Sequence, residues 1–165
     1  MRILGIDPGL VATGYGVIEV SAQYKLDVCA AGVIRPSSDD LANRLTQIYE
    51  QVTKLLREFN PDAMAIEDLY MTYSHPRTAI LMGHARGVIF LAGSLSGIPV
   101  TNYAPTEVKR AVTSHGRASK EQVQHMVQQL LRLPTLPTPD HVSDALALAI
   151  THSYRDRVHN LGRKS

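Results

Sequence analysis

The first part of the chain alternates short apolar runs with polar turns. Residues 2–6, 14–20 and 29–35 are apolar and rich in β-branched residues, and turn-like polar stretches separate them. This pattern predicts three strands that pair as an antiparallel ribbon. Further apolar runs at 63–66 and 98–104 predict a fourth and a fifth strand.

Residues 41–56 carry leucine, isoleucine and valine at helical spacing. Asp39 and Asp40 precede the helix as candidate caps, and Asn60 and Pro61 follow it as a stop signal. The helix therefore predicts a right-handed crossover that brings strand four beside strand one and parallel to it. The expected fold class is α/β, with a sheet of mixed pairing.

Capping signals also mark the later helices. Pro105 opens a short helix, and Ser119 with Gln122 forms a capping box for the next one. The last helix is expected to begin near Asp140, and the polar tail from about Arg155 is expected to fray.

Composition predicts one soluble domain covering residues 1–165. A chain of 165 residues with 44% hydrophobic content can bury a core without cross-links. The single cysteine, Cys29, forms no internal disulfide and is interpreted as a small core residue in a reducing compartment. The sequence has neither a signal-peptide pattern nor 18 consecutive apolar residues, so we expect a cytoplasmic protein with no membrane partner.

The net charge of +2 is unevenly distributed. Residues 1–75 contain 6 Lys/Arg and 10 Asp/Glu, whereas residues 76–165 contain 11 and 5. A basic second half fits a polyanionic partner, and an acidic first half supplies carboxylates for a cation. A solvated basic face would have the same composition, so charge alone does not define a function.

Acidic residues follow two of the apolar strand runs directly. Asp7 comes after residues 3–6, and Glu67 comes after residues 63–66. Because parallel neighbours point their C-terminal ends the same way, we expect both carboxylates at one edge of the sheet. Two such charges repel each other unless a proton or a cation lies between them. Neither acid is closely followed by a lysine or arginine, which favours a metal ion.

A third acid lies in the last helix. His141 and Asp144 are one turn apart and share a face, and the apolar stretch 145–150 would pack that helix against the sheet. Carboxylates with one imidazole suit Mg²⁺ or Mn²⁺. Two such ions could hold the attacking and leaving oxygens of a phosphodiester.

Each of these four residues also has a purely structural explanation. Asp7 before a proline and a glycine has the pattern of a simple turn, and Glu67 that of a surface charge. Asp144 in a first helical turn would complement the helix dipole, and His141 would suit a capping or surface role. Only the convergence of three elements on one edge favours catalysis.

Six spaced motifs together resemble one known family. They are GIDPG at 5–9, TGYGVI at 13–18, AIED at 65–68, GHARGV at 83–88, VKRAVTSHGRASKEQVQHMV at 108–127 and DALALAITH at 144–152. In this order they resemble the RuvC-type Holliday-junction resolvases over nearly the whole chain. The resemblance implies an RNase H-like fold with a mixed five-stranded sheet flanked by helices. It also implies a metal-dependent endonuclease that resolves four-way DNA junctions by paired symmetric nicks, in recombination and repair.

The resemblance implies roles for individual residues. Asp7, Glu67 and Asp144 match the family's catalytic acids, and His141 stands where many members have a fourth aspartate and some have histidine. We expect these four residues to hold Mg²⁺ or Mn²⁺, with two ions per active site.

Other matching residues are expected to contact DNA. Lys109 and Lys120 match lysines near the scissile phosphate, where ammonium groups would neutralise developing charge. Tyr70 matches an aromatic position that stacks on an unpaired base, and Arg117 is expected to bind DNA. The alternatives are solvated lysines on helices and a tyrosine folded back on the domain.

Residues 78–96 predict a helix that is apolar around almost its whole circumference and must be buried on more than one side. It matches the family's dimer helix. Gly83 and Gly87 would let a second copy approach closely, and we expect Ile89 to face outward in a two-fold homodimer. The alternative is a central core helix.

Two other functions stay open from the sequence. Residues 7–16, DPGLVATGYG, also resemble the phosphate-binding turn of the actin and sugar-kinase fold, although this chain supplies only one of the two halves that close on ATP. Because of His141, a non-catalytic junction-binding module is the other alternative. A branch-migration helicase complex is a candidate partner.

Overall fold

The strands form one mixed sheet in the computed structural model, which describes residues 1–68 and 76–162. The strands are β1 (Arg2–Asp7), β2 (Thr13–Val20), β3 (Leu26–Ile34), β4 (Ala63–Glu67) and β5 (Val100–Tyr103). Their order across the sheet is β3-β2-β1-β4-β5. β1 to β3 pair antiparallel, whereas β4 runs parallel to β1 and β5 parallel to β4. The predicted ribbon and crossover are confirmed.

Helices cover both faces of the sheet. They are α1 (Leu41–Phe59), α2 (Pro76–Leu95), α3 (Pro105–Thr113), α4 (Lys120–Leu130) and α5 (Asp140–Gly162). Buried residues of α1 and α2 form one hydrophobic core with the sheet, and those of α3, α4 and α5 form a second core. The result is a three-layer α/β/α arrangement with the sheet in the middle.

The local signals in the sequence place the helix ends correctly. The Asp40 side chain accepts a hydrogen bond from the Asn43 backbone N–H at 2.9 Å, and Asn60 ends α1 in the left-handed conformation. Ser119 and Gln122 form the reciprocal capping box at the start of α4.

Cys29 does not lie in the core, so its interpretation as a core residue is wrong. It is exposed on β3, which is an edge strand of the sheet. Exposed and partly buried residues alternate along the middle of β3, and the alternation turns Cys29 towards solvent.

The C-terminal helix continues past Arg155, where the polar sequence had predicted fraying, and ends at Gly162. Two cation–π contacts support this segment. The Arg155 guanidinium lies 5.7 Å from the centroid of the Tyr103 ring, and that of Arg157 lies 4.5 Å from the Tyr24 ring. These tertiary contacts attach the mostly polar tail to the rest of the domain.

The helix α2 is a surface helix with one buried face. Ile89 is fully buried against the core, so the expectation that it faces outward is wrong. The exposed apolar side chains of α2 are Ile80, Leu91 and Leu95, at 62%, 50% and 68% exposure. By length and composition, residues 77–95 could cross a membrane. However, Ala85, Ile89 and Ala92 pack into the core that α1 and the sheet share, so this helix is part of the fold.

Candidate active site

Two carboxylates lie at the ends of neighbouring parallel strands. Asp7 is the last residue of β1 and Glu67 is the last residue of β4, and the strands pair through Ile6 and Ile66 just before them. Both acids line one cleft of about 430 Å³. The predicted placement of both acids at one edge of the sheet is confirmed.

The helix α5 brings two further site residues to the same cleft because it crosses the sheet at very short range. A Cβ atom on Gly5 would overlap the carbonyl oxygen of Ala145, and one on Gly14 would overlap that of His141. Glycine at these strand positions therefore permits the close approach of the helix. His141 and Asp144, in the first turns of α5, consequently line the cleft with Asp7 and Glu67.

His141 contacts Asp7 directly. The imidazole Nδ1–H donates to Asp7 Oδ2 at 2.6 Å. The Asp7 side chain is 10% exposed and that of His141 is 44% exposed, so the imidazole covers the carboxylate from the solvent side. In the tautomer that carries its proton on Nδ1, the Nε2 lone pair is available to bind a ligand.

Lys120 supplies the cation of the cleft. It is the first residue of α4, and its Nζ lies 3.8 Å from Asp144 Oδ2. Its side chain is 68% exposed, so this ion pair contributes little to stability and the ammonium group stays accessible to an anion.

Burial and mutual repulsion disfavour the charged forms of the acids in the cleft. Burial, together with the charges of Asp7 and Asp144, raises the pKa of Glu67 to about 7. Burial and the charge of Asp7 raise the pKa of Asp144 to about 6, against the opposing effect of Lys120. Burial also raises the pKa of Asp7, although the hydrogen bond from His141 opposes this shift. A cation bound among these groups would remove their mutual repulsion.

The donor set fits a hard divalent cation with some preference for nitrogen. Three carboxylates and one imidazole are the donors that Mg²⁺ and Mn²⁺ accept. Within residues 1–68 and 76–162, no three of the possible donors stand close enough to enclose one ion already. The side chains would therefore have to draw together around a metal, and the hydrogen bond between His141 and Asp7 would have to adjust.

Sequence reasoning missed Arg86 as a member of this region. Arg86 is 8% exposed on α2, and its Nη2 donates to Asp68 Oδ1 at 3.3 Å and to Asn102 Oδ1 at 3.1 Å. Its charge lowers the pKa of Glu67, against the larger effect of burial. A buried arginine near an acid at the end of a strand would have identified Arg86 as a site residue. The sequence alone does not show that Arg86 is buried.

Three predicted DNA-contacting residues lie outside the cleft or outside the described structure. Lys109 is half-buried on α3 and does not line the cleft, although it is on the same side of the sheet as α4 and α5. Arg117 is exposed in the loop between α3 and α4 and lines a separate pocket of about 500 Å³ with His115 and His125. Tyr70 falls outside residues 1–68 and 76–162.

Comparison with known proteins places this geometry in one family. The family model described as Crossover junction endodeoxyribonuclease RuvC matches residues 3–152. A protein of that name from Desulforamulus reducens is 47% identical over 93% of this chain and 93% of its own length. The solved structure of Thermus thermophilus RuvC matches with a TM-score of 0.88 and 35% identity, covering 96% of this chain and 97% of that one. That of T. thermophilus RuvC in complex with Holliday junction substrate matches with a TM-score of 0.87 and 33% identity, covering 96% of both chains.

Proposed function

The chain belongs to the RuvC family of crossover junction endodeoxyribonucleases, and we propose that the cleft at the ends of β1 and β4 is its active site. The protein is a structure-selective DNA endonuclease that resolves four-way Holliday junctions by paired symmetric nicks in recombination and repair. The observation that carries the assignment of the site is the convergence of Asp7, Glu67 and Asp144 from three separate elements on one cleft.

The family is metal-dependent, and Asp7, Glu67, His141 and Asp144 are the residues that would hold the metal here. We infer two Mg²⁺ or Mn²⁺ ions per site, because the acids repel one another and one imidazole nitrogen is free to bind. When bound there, such ions would supply Lewis-acid chemistry for the hydrolysis of the phosphodiester. His141 and the three carboxylates, of which only Asp7 is fully buried, would orient the groups around the reacting phosphate.

Lys120 neutralises negative charge on the scissile phosphate. Its ammonium group is exposed, lines the cleft and already lies near Asp144. Lys109 on α3 would contact the phosphate backbone further from the carboxylates.

Arg117 and Tyr70 are assigned to DNA binding outside the carboxylate cluster. Arg117 is exposed beside two histidines, which suits a contact with the phosphate backbone. Tyr70 is assigned by its match to an aromatic position of the family, to stack on an unpaired base.

The protein acts as a homodimer through α2. Ile80, Leu91 and Leu95 expose apolar surface on this helix, and a Cβ at Gly83 or Gly87 would meet no atom within 4 Å. An isologous pairing of two such helices would cover this surface and carry two active sites, one for each nicked strand.

The remaining partners follow from the role in recombination. A branch-migration helicase complex is the proposed supplier of junctions, and the proposed compartment is the cytoplasm. Membership of the family does not support the actin and sugar-kinase alternative. The non-catalytic junction-binding alternative predicts binding without cleavage, which an assay tests directly.

The decisive experiment incubates the protein with a synthetic mobile four-way junction, with and without Mg²⁺ or Mn²⁺. We expect paired nicks only with metal. Asp7→Asn should bind the junction almost as well as the wild type but not cut it. Asp39→Asn is the matched control, because that carboxylate is fully exposed and lies outside the cleft. Cleavage by Asp7→Asn at close to the wild-type rate would exclude this cleft as the active site.

A further inference from the structure

The strand β3 forms an open edge of the sheet. It is the last strand on its side of the described sheet, where β2 is its only neighbour. Every second backbone N–H and C=O group of such a strand points away from the sheet and can pair with a further strand. Natural edges are often blocked by charged side chains or proline, but residues 28–34 of β3 include neither. This edge is therefore accessible to another extended chain.

A β-bulge defines the usable part of this edge. Ala30 pairs with Val17 and Val28 pairs with Ile18, so Cys29 between them is an extra residue that pairs with neither. Beyond the bulge, residues 30–34 pair with β2 without a break. This regular stretch has the length of an ordinary short strand and is where an added strand would align.

Two pockets flank the edge, one on each face of the sheet. On one face, Ala30 and Ile34 line a groove of about 610 Å³ between β3 and α1, which we call the α1-side groove. On the other face, Val28 and Ala31 line a pocket of about 260 Å³ with residues 133–138, which we call the linker pocket. The side chains of an added strand would point alternately to the two faces, so neighbouring residues would enter different pockets.

The α1-side groove offers both apolar and polar contacts. Its floor includes Leu55, which is buried, and Phe59, which is half-buried. Tyr15 of β2 lies over Gly32, where a Cβ would come within 2.7 Å of the Tyr15 hydroxyl oxygen. The hydroxyl group is thereby held beside the open edge, where it can donate a hydrogen bond to a bound chain.

The two pockets differ in charge. Arg35, Lys54 and Glu58 are exposed at the rim of the α1-side groove, two cations against one anion. The excess of positive charge favours an acidic side chain, whose carboxylate would lie near Lys54 or Arg35 while its methylenes cover the apolar floor. Among the described residues, the linker pocket has no charged residue in its lining, so it suits a small apolar side chain.

We propose that the open edge of β3 binds an extended segment of another protein in which acidic and apolar residues alternate. The main chain of the segment would pair with residues 30–34, its acidic side chains would enter the α1-side groove, and its apolar side chains would enter the linker pocket. Neither pocket shares a residue with the catalytic cleft. The edge is therefore an interaction surface separate from the active site, and it does not depend on the chemistry proposed there.

The first test uses a synthetic segment and the whole protein. The probe is a fluorescein-labelled peptide of about eight residues in which glutamate and valine alternate. We expect saturable binding with a dissociation constant on the order of 100 µM, since the interface is small. Bound peptide should slow the hydrogen exchange of backbone amides within residues 30–34. The same peptide with N-methylated backbone amides, or with lysine in place of glutamate, should bind about tenfold more weakly.

Two protein variants separate the groove from the pairing edge. Lys54→Glu should weaken binding of the glutamate peptide about tenfold, and Arg57→Glu is the matched control because Arg57 is exposed on α1 but does not line the groove. Ala31→Lys places a charge at the edge and should weaken binding by a similar factor. Ala22→Lys is its control, because Ala22 is exposed and lines neither pocket. Both controls should bind the peptide as the wild type does.

Several results would overturn the proposal. The glutamate peptide could fail to bind at about 1 mM, it could protect only amides outside β3, or the N-methylated peptide could bind equally well. Equal affinities of Lys54→Glu and Arg57→Glu for the glutamate peptide would contradict the acidic chemistry of the partner. If Ala31→Lys sediments as a smaller species than the wild type, a second copy of the chain covers the edge, and the proposal of a different protein partner is wrong.

Discussion

The helices α2 and α5 are both rich in apolar residues, but the fold uses them differently. Residues 145–150 of α5 are all buried, at 0–1% exposure, and the helix crosses directly over β1 and β2. The helix α2 buries only one face and exposes Ile80, Leu91 and Leu95. Apolar content therefore does not by itself indicate how a helix is covered. The first helix to consider for catalysis is α5, and α2 is the one to consider for assembly.

The largest expected effect comes from introducing a charge on the buried or on the exposed face of α2. Ile89→Asp places a carboxylate in the core, where Ile89 is fully buried, and should cost about 4 kcal/mol of unfolding free energy. Leu91→Asp, at a half-exposed position, should leave the monomer folded but prevent dimerisation. Chemical denaturation and sedimentation measure the two effects. A Leu91→Asp protein that stays dimeric would remove α2 from the proposed interface.

A second comparison replaces a glycine by alanine at two positions, one in β1 where α5 crosses it and one on α2. Gly5→Ala should destabilise the protein by about 3 kcal/mol, because the new Cβ overlaps the Ala145 carbonyl and must push α5 away. Gly87→Ala, made in the Leu91→Asp background that is expected to be monomeric, should stabilise the monomer by roughly 0.5–1 kcal/mol, because its Cβ meets no other atom and glycine is a poor helix former. Thermal unfolding of both variants checks the contrast. Equal destabilisation would mean that the close crossing of α5 is not important.

The third prediction concerns Arg86, where α2 reaches the active site. Arg86→Met removes the hydrogen bonds to Asp68 and Asn102 and should cost about 1–3 kcal/mol of stability. It should also raise the Mg²⁺ concentration needed for half-maximal cleavage, because the side chains near Glu67 lose their support. Arg86→Lys keeps the charge but not the forked geometry, and should restore only part of the metal response. Unchanged metal dependence in Arg86→Met would limit Arg86 to a structural role.

The smallest expected effect is a pH dependence of stability, which arises from acids in the cleft that α5 helps to form. In the metal-free protein the raised pKa values, about 7 for Glu67 and about 6 for Asp144, mean that the folded state holds protons which the unfolded chain releases. Their contribution to stability is complete below about pH 4 and is lost as the pH rises through 6 to 7. The melting temperature should therefore fall by a few degrees between pH 5 and pH 8. Glu67→Gln should flatten this part of the curve, and Mn²⁺ should raise the melting temperature most at pH 8. An equally steep fall in Glu67→Gln would assign the effect to other groups.

Much of the site was predictable because it depends on local and topological rules. Asp7 and Glu67 follow apolar runs that are joined by a crossover helix, so their meeting at one edge follows from parallel pairing. The caps at Asp40 and Ser119 are equally local, since each satisfies backbone N–H groups within three residues. Lys120 was found by resemblance to the family, and the structure places it in the cleft.

The tertiary structure alone decided which side of an element is covered. Cys29 and Ile89 were assigned the wrong environment because burial depends on the neighbouring strand or helix, and the sequence pattern does not specify that neighbour. The contact of His141 with Asp7 and the burial of Arg86 depend on how closely α5 and α2 approach the sheet. Hydrophobic period and capping chemistry act over a few residues, and they determined the elements, their ends and the order of the acids. Packing acts between residues far apart in the chain, and it determined the distances, exposures and pKa values of the site.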